Sequence, residues 1–383
     1  MTSSAPLRVL IDYRAALRNR SGAGEYAHEL ARALLARGRA DPAGAIALSL
    51  FSSSWKDRLQ LAEPLRGAHT TDRHIPVSIL NFLWHRLEWP PVERLTGETY
   101  DVVQSAHPLL TPSVGAAQVV TIHDLDFLAH PERTQAEVRR DYPSLVRHHA
   151  ARADKILVPS RYTLSQVERQ LGVPAERIAV CPPGAPDWTA RSVGPANGYV
   201  LFMGTLEPRK NVGSLLDAYE RLLADPALSL PPLLLAGGAR PEAAEWLRRV
   251  GEPPLAGHVS HRGYVAPGDR EALYRGAVAL VVPSLDEGFG IPVLEAMTAG
   301  VPVVAANRGA LPEVLAGAGV LVDPLNSADL AHGLRRMTTD HELVATCVAR
   351  GIARARDFDW ADTAARVHEA YREAVRHRQS RAY

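Results

Sequence analysis

Leu280-Val281-Val282-Pro283-Ser284-Leu285-Asp286-Glu287-Gly288-Phe289-Gly290-Ile291-Pro292-Val293-Leu294-Glu295 is the stretch from which the rest of the chain can be read. An apolar strand leaves through Pro-Ser, a glycine-rich turn follows, and a helix is expected to start near Pro292 and stop before Gly300. Strand, turn and helix in that order aim several unpaired backbone N–H groups at one point, which suits a phosphate. Yet two carboxylates, Glu287 and Glu295, bracket the same turn, and carboxylates repel phosphate. They suit another part of the ligand, and hydroxyl groups fit, because an ionised carboxylate can accept from both members of a diol. A diphosphate between two hydroxylated rings describes a nucleotide-sugar. The alternative is that both glutamates are solvated charges, favourable at a helix start for electrostatic reasons alone.

The E-x7-E spacing of Glu287 and Glu295 around Gly-Phe-Gly resembles the donor-site signature of the retaining family 4 (group 1) glycosyltransferases. That resemblance implies the GT-B fold, two Rossmann-like doubly wound parallel-sheet domains facing across a cleft. It assigns Glu287 to the transferred sugar and Glu295 to the ribose hydroxyls. It places the backbone of Gly288, Phe289, Gly290 and Ile291 against the sugar and diphosphate, with Leu294 also on the donor side.

A second constellation is Tyr199-Val200-Leu201-Phe202-Met203-Gly204-Thr205-Leu206-Glu207-Pro208-Arg209-Lys210-Asn211. A strand ends in glycine, a short loop delivers two adjacent cations, and a helix is expected from about Val212 to Leu223. Cations are wanted where a nucleoside diphosphate departs, because its growing charge must be neutralised. Lysine occurs only at Lys56, Lys155 and Lys210, so one beside Arg209 suggests that a compact point charge is needed there. The pair resembles the family's diphosphate-binding Arg and Lys, although a solvated helix start would also carry such charges. Many members have arginine directly after the strand glycine, where this chain has Thr205, and Arg209 is expected to take that role.

In the first half, Val119-Val120-Thr121-Ile122 reads as a buried strand with His123-Asp124 at its carboxyl end, where ligands gather in parallel sheets. The resemblance assigns His123 to the acceptor side, touching the transferred sugar; the plain alternative is a structural histidine. Asp124-Leu125-Asp126 imitates the metal motif of the other major glycosyltransferase fold, and we read that as coincidence, with no metal or other cofactor expected. His107, after the strand Val102-Val103-Gln104-Ser105, is a weaker candidate. Ser21-Gly22-Ala23-Gly24 opens a helix running to about Arg37, and Gly22 and Gly24 either lie against the diphosphate and acceptor or simply make the turn. Arg262-Gly263-Tyr264-Val265 follows a strand at a point where relatives let the backbone touch the base, which makes Tyr264 a donor-side residue.

Strand-like runs near 7–12, 46–51, 101–105, 118–122, 155–159 and 177–181, then 199–203, 232–236, 258–261, 279–283, 302–305 and 320–322, alternate with helical stretches as βαβ units do. The expected division is an acceptor-side domain over 1–183, a Pro/Gly-rich linker over 184–198 and a donor domain over 199–359. A last helix over 360–383 resembles the family's closing helix, which crosses back to the first domain. At 383 residues two domains are affordable in length, and a net charge of +1 implies no nucleic-acid field. No apolar run approaches the ~18 residues of a membrane span. No charged-then-apolar leader precedes the first strand, and Cys181 and Cys347 form neither a disulfide framework nor a metal cluster, which points to a cytoplasmic protein.

If the resemblance holds, the chain moves a hexose, with GDP-mannose the first choice of donor, to a glycan or polyprenyl-linked acceptor in cell-surface polysaccharide assembly. A UDP-sugar donor, a phosphorylase or epimerase of the same fold, and a non-catalytic nucleotide-sugar-binding protein are the alternatives. Asn81-Phe82-Leu83-Trp84-His85-Arg86-Leu87-Glu88-Trp89 and the basic stretch Arg139, Arg140, Arg147, His148, His149, Arg152 either rest peripherally on the inner face of an anionic membrane or form a solvated helix and an aromatic cluster.

Overall fold

The computed structural model describes residues 6–17, 20, 22–40, 46–131 and 136–381. Ser21 and the side chains of Arg139 and Arg140 lie outside the described residues. The chain divides into two compact units, one running to Gly184 and resuming at Asp359, the other being Ala185–Phe358.

In the first unit β1 (Leu7–Asp12), β2 (Ile46–Ser53), β3 (His69–Arg73), β4 (Val102–Ser105), β5 (Ala117–Thr121), β6 (Lys155–Val158) and β7 (Ile178–Val180) form one sheet in the order β3-β2-β1-β4-β5-β6-β7. Every pairing in it is parallel. In the second, β8 (Tyr199–Met203), β9 (Leu233–Ala236), β10 (Val259–Gly263), β11 (Ala277–Val282), β12 (Val303–Ala306) and β13 (Val320–Val322) form a parallel sheet in the order β10-β9-β8-β11-β12-β13. The central strands are apolar on both faces because helices cover both, so they read as continuous Val/Leu/Ile runs. β3, His-Thr-Thr-Asp-Arg, has no such run. It is an edge strand held by β2 alone, its side chains half-buried or exposed, and hydropathy gives it no signal.

The helices Ala23–Ala40 and Trp360–Ser380 pack together on one face of the first sheet, where Leu30, Leu34, Val367 and Tyr371 meet Val9 and Ile11 of β1. The Tyr371 hydroxyl donates to Gln104 Oε1 on β4, and Gln104 Nε2 donates to Thr121 Oγ1 on β5 at 3.0 Å, so the buried amide is satisfied on both sides. Asp359 caps the last helix, accepting from Ala361 N at 2.8 Å. Residues 185–198 are packed against the second unit: Trp188 joins its core and Arg191 N donates to Ala299 O at 3.1 Å. Ala185 N donates to Phe358 O at 2.9 Å, so the two ends of the second unit meet.

Both sheets reverse their winding beside their first strand, between β1 and β4 and between β8 and β11. In open parallel sheets the crevice outside the carboxyl ends at such a reversal is where ligands bind.

Candidate functional site

The cation loop leaves the carboxyl end of β8 and the Glu287 turn leaves the carboxyl end of β11, so the reversal in the second sheet sets them side by side. Backbone and side chains then stitch them together. Leu285 N donates to Arg209 O at 2.8 Å, and Asn211 Nδ2 donates to Pro283 O at 3.1 Å and to Pro324 O at 2.7 Å. Asn211 takes φ 56, a left-handed conformation that asparagine tolerates, and starts the helix Val212–Leu223.

Three charges converge there. Lys210 Nζ donates to Glu287 Oε1, Arg209 Nη1 donates to Glu287 Oε2 at 3.1 Å, and Ser284 Oγ donates to Oε1 at 2.8 Å. Arg209 also donates to Asp286 O at 2.9 Å and to Glu207 Oε1 at 3.1 Å. Burial works to raise the Glu287 pKa, yet Lys210, Arg209 and the hydrogen bonds from Lys210 and Ser284 outweigh it and hold the carboxyl at about 2. Glu287 is therefore ionised at neutral pH, and two cations are fixed at the mouth of the turn.

The helix Ile291–Ala299 starts one residue before Pro292 and stops at Gly300. Gly290 takes φ 102, and a Cβ there would lie 2.7 Å from Leu311 Cδ2, so the turn demands glycine on both counts. Phe289 and Leu294 turn their side chains into the core, Phe289 edge-to-face on Phe358 at 5.4 Å. Glu295 lies on the same helix but is held apart from Glu287: Oε1 accepts from Arg270 Nη1 at 3.2 Å and Oε2 from the Tyr274 hydroxyl at 2.7 Å. Arg270 and Tyr274 had no signal in the sequence, since nothing local marks a partner 21 or 25 residues away, whereas Ser284 stands in the Pro-Ser pair that precedes the turn, three residues from Glu287. Tyr264 follows Gly263 at the end of β10 and is exposed.

In the first unit, His123 and Asp124 follow β5. The His123 ring bonds the Ala106 backbone and lies edge-on to Tyr26 at 5.3 Å, while its Nε2 is buried without a hydrogen-bond partner among the described residues. Burial lowers the His123 pKa, offset in part by Asp124 and the Ala106 bond, so the ring is neutral at pH 7. Gly24 has a packing reason to be glycine: a Cβ would sit 2.3 Å from Ala15 O. Among the described residues no group of three or more His, Cys, Asp or Glu is placed to hold a metal ion. The segment 77–89 exposes Ile79, Phe82, Leu87 and Trp89, each more than half accessible. Its basic surroundings are partly neutralised, since Arg86 pairs with Asp141 and Arg152 with Glu88. No helix among the described residues is long and apolar enough to cross a membrane.

Residues 20–187 match the family described as Glycosyltransferase Family 4, and residues 193–354 match that described as Glycosyl transferases group 1. The O-antigen chain mannosyltransferase B of Escherichia coli is 34% identical over 269 residues, which is 66% of this chain and 70% of that protein. Among solved structures, a sucrose-phosphate synthase from Thermosynechococcus elongatus superposes with a TM-score of 0.76 at 20% identity, covering 96% of this chain and 98% of that one. Anabaena HepE in complex with UDP and glucose gives a TM-score of 0.69 at 19% identity, covering 95% of this chain and 98% of that one. At such identities the structures speak to the fold, which is GT-B.

Proposed function

The chain belongs to the family 4 (group 1) glycosyltransferases, and we propose that it transfers mannose from GDP-mannose, with retention of configuration and without a metal, to a glycan or polyprenyl-linked acceptor in cell-surface polysaccharide assembly. The observation that carries the donor site is the meeting of Arg209 and Lys210 on buried Glu287 at the mouth of the Gly288–Gly290 turn. The choice of mannose leans on the named activity of the O-antigen relative.

In this reading the donor diphosphate lies against the start of the helix Ile291–Ala299, where backbone N–H groups and the helix dipole favour negative charge. Arg209 and Lys210 neutralise the charge that grows as the sugar leaves. Because Glu287 already holds both cations in place, they need little reorganisation when the diphosphate arrives. Glu287 itself accepts from the sugar hydroxyls, and Glu295, fixed by Arg270 and Tyr274, accepts from the ribose diol. The backbone near Tyr264 borders the base. Attack is on the same face of the sugar, the leaving diphosphate taking the acceptor's proton. Acceptor recognition falls to the first unit, where His123, bonded to Ala106 through its other nitrogen, offers a lone acceptor at Nε2 to a sugar hydroxyl.

A second element of the reading is peripheral contact with the inner face of the membrane through Ile79, Phe82, Leu87 and Trp89. Paired as its arginines are, this segment is suited to apolar insertion more than to electrostatic attraction.

The test is isothermal titration with GDP, UDP, dTDP and ADP and their sugars, with and without EDTA, on the wild type, Lys210→Ala and Glu295→Ala. Selective binding of GDP and GDP-mannose, indifferent to EDTA and lost in both variants, is expected. Tighter binding of a uridine nucleotide moves the donor to a UDP-sugar. Binding that disappears with EDTA, or survives both substitutions, refutes the site.

A further inference from the structure

The reversal in the first sheet carries a polar cluster of its own. Asp12 ends β1 with its carboxylate buried and accepts from Arg14 Nε at 2.8 Å and from Arg14 Nη2 at 2.6 Å. Arg14 also donates to Asn81 Oδ1 at 2.8 Å and lies over the Trp84 ring at 4.7 Å. His107, two residues past β4, lies with Nε2 3.6 Å from Asp12 Oδ2. The wide turn Leu83–Leu87 brings His85 alongside, its ring centroid 5.6 Å from His107 and 6.4 Å from His149 on the helix Ala136–Arg152.

Protonation of the rings is set by the backbone. Leu110 N donates to His149 Nδ1 at 2.8 Å, so in the neutral ring the proton is on Nε2. Leu109 N likewise donates to His107 Nδ1 at 3.2 Å. His149 is only 1% exposed, and its Nε2, a donor, has no partner among the described residues; His85 Nε2 is also buried without one. A buried donor left unmatched keeps its desolvation cost uncompensated, which a ligand oxygen would recover.

We infer that this cluster is a phosphate-binding site, in which His149 and His85 donate to the charged group of a phosphorylated acceptor held at the carboxyl edge of β1 and β4, while Arg14 and His107 are engaged with Asp12. The inference rests on reading the first unit as the acceptor side, since His123 follows the adjacent strand β5. Burial, helped by His107 and Arg14, holds His85 at about 3, and burial, opposed by Glu88 and helped by Arg152 and His148, holds His149 at about 4. A phosphate opposes that balance at His85 by favouring its protonated ring, while His149, whose Nδ1 accepts from Leu110 N, donates from Nε2 as a neutral ring. The groups facing the two rings are Asp12, Arg14 and His107 on the sheet edge, Glu88 on the turn, and His148 and Arg152 on the helix.

The probe is pyrophosphate, titrated calorimetrically into the full chain with the donor site saturated by nucleoside diphosphate, at pH 8 and pH 6. Binding is expected to tighten about tenfold at the lower pH and to weaken about tenfold or more in His149→Gln and in His85→Gln. It is expected to stay unchanged in His148→Gln, whose side chain is 60% exposed. Because the buried variants can fail to fold, imidazole shifts of the wild type give a second readout: pyrophosphate must bring both ring nitrogens of His85 into the protonated range and move the Nε2–H proton of His149 downfield as it gains an acceptor. Absent binding, unshifted rings, or equal affinity in folded His149→Gln overturns the site. Farnesyl diphosphate binding more tightly than pyrophosphate points to a lipid-linked acceptor, and equal affinity to a soluble one. If no nucleoside diphosphate binds, the donor assignment fails by itself, and the histidine shifts still report on this one.

Discussion

Replacing Glu287 by glutamine tests the charge cluster with least disturbance of shape. The carboxyl is held at about 2 against an ordinary value of 4.5. Each tenfold change in acidity is worth about 1.4 kcal/mol, so the native state favours the ionised form by about 3 kcal/mol. The Glu287 side chain is 9% exposed, so solvent screening takes little of this away. A pKa lowered by folding contributes stability that is complete above the ordinary value and fades as the pH falls toward the native one. Glu287→Gln is therefore expected to destabilise the second unit by about 3 kcal/mol at pH 7, by about half of that near pH 3, and by almost nothing below pH 2. The assay is hydrogen exchange in peptides covering β11 and the helix Ile291–Ala299, which isolates this unit from the first. A difference that stays level from pH 7 to pH 3, or a loss under about 1 kcal/mol at pH 7, would refute the argument that Lys210 and Arg209 lower this pKa.

Two further outcomes are expected. Tyr371→Phe leaves Gln104 Oε1 buried without its donor and should cost the first unit about 1–3 kcal/mol in urea denaturation, with exchange in the second unit unchanged. A loss under about half a kcal/mol would mean that Gln104 finds another partner. Changing both Phe82 and Trp89 to serine removes two exposed apolar anchors worth about 2 kcal/mol each on burial, so sedimentation with anionic vesicles should fall at least about tenfold while donor affinity holds. Equal sedimentation of variant and wild type would remove this segment from any membrane contact.

Much of the fold was legible because buried parallel strands write themselves as apolar runs: β1, β8 and β11 lie where Leu7–Asp12, Tyr199–Met203 and the Val-Val run before Pro283 placed them. β3 was not, since a polar edge strand is defined by the hydrogen bonds it receives from β2. The donor loops could be recognised one at a time, because each is a local strand-turn-helix pattern. Their union could not, as Lys210 and Glu287 stand 77 residues apart and meet only through the pairing of β8 with β11. The same holds for His85, His107 and His149, whose grouping depends on where β4 ends and on how one helix leans. Arg270 and Tyr274 belong to a helix whose sequence looks ordinary, and only the position of Glu295 gives them meaning.

Trp360, Ala364, Val367, Ala370, Tyr371 and Ala374 are part of the core that also contains Val9 and Leu30. During synthesis, the amino-terminal sheet thus leaves the ribosome with one side of its core uncovered and waits for the last twenty or so residues to finish it. The Ala185–Phe358 unit, whose ends are joined by one hydrogen bond, has all its strands by then and can complete itself first. A chain cut short just after Phe358 would release an unfinished first sheet, with its apolar face open to aggregation and to proteases, beside a second unit that is whole.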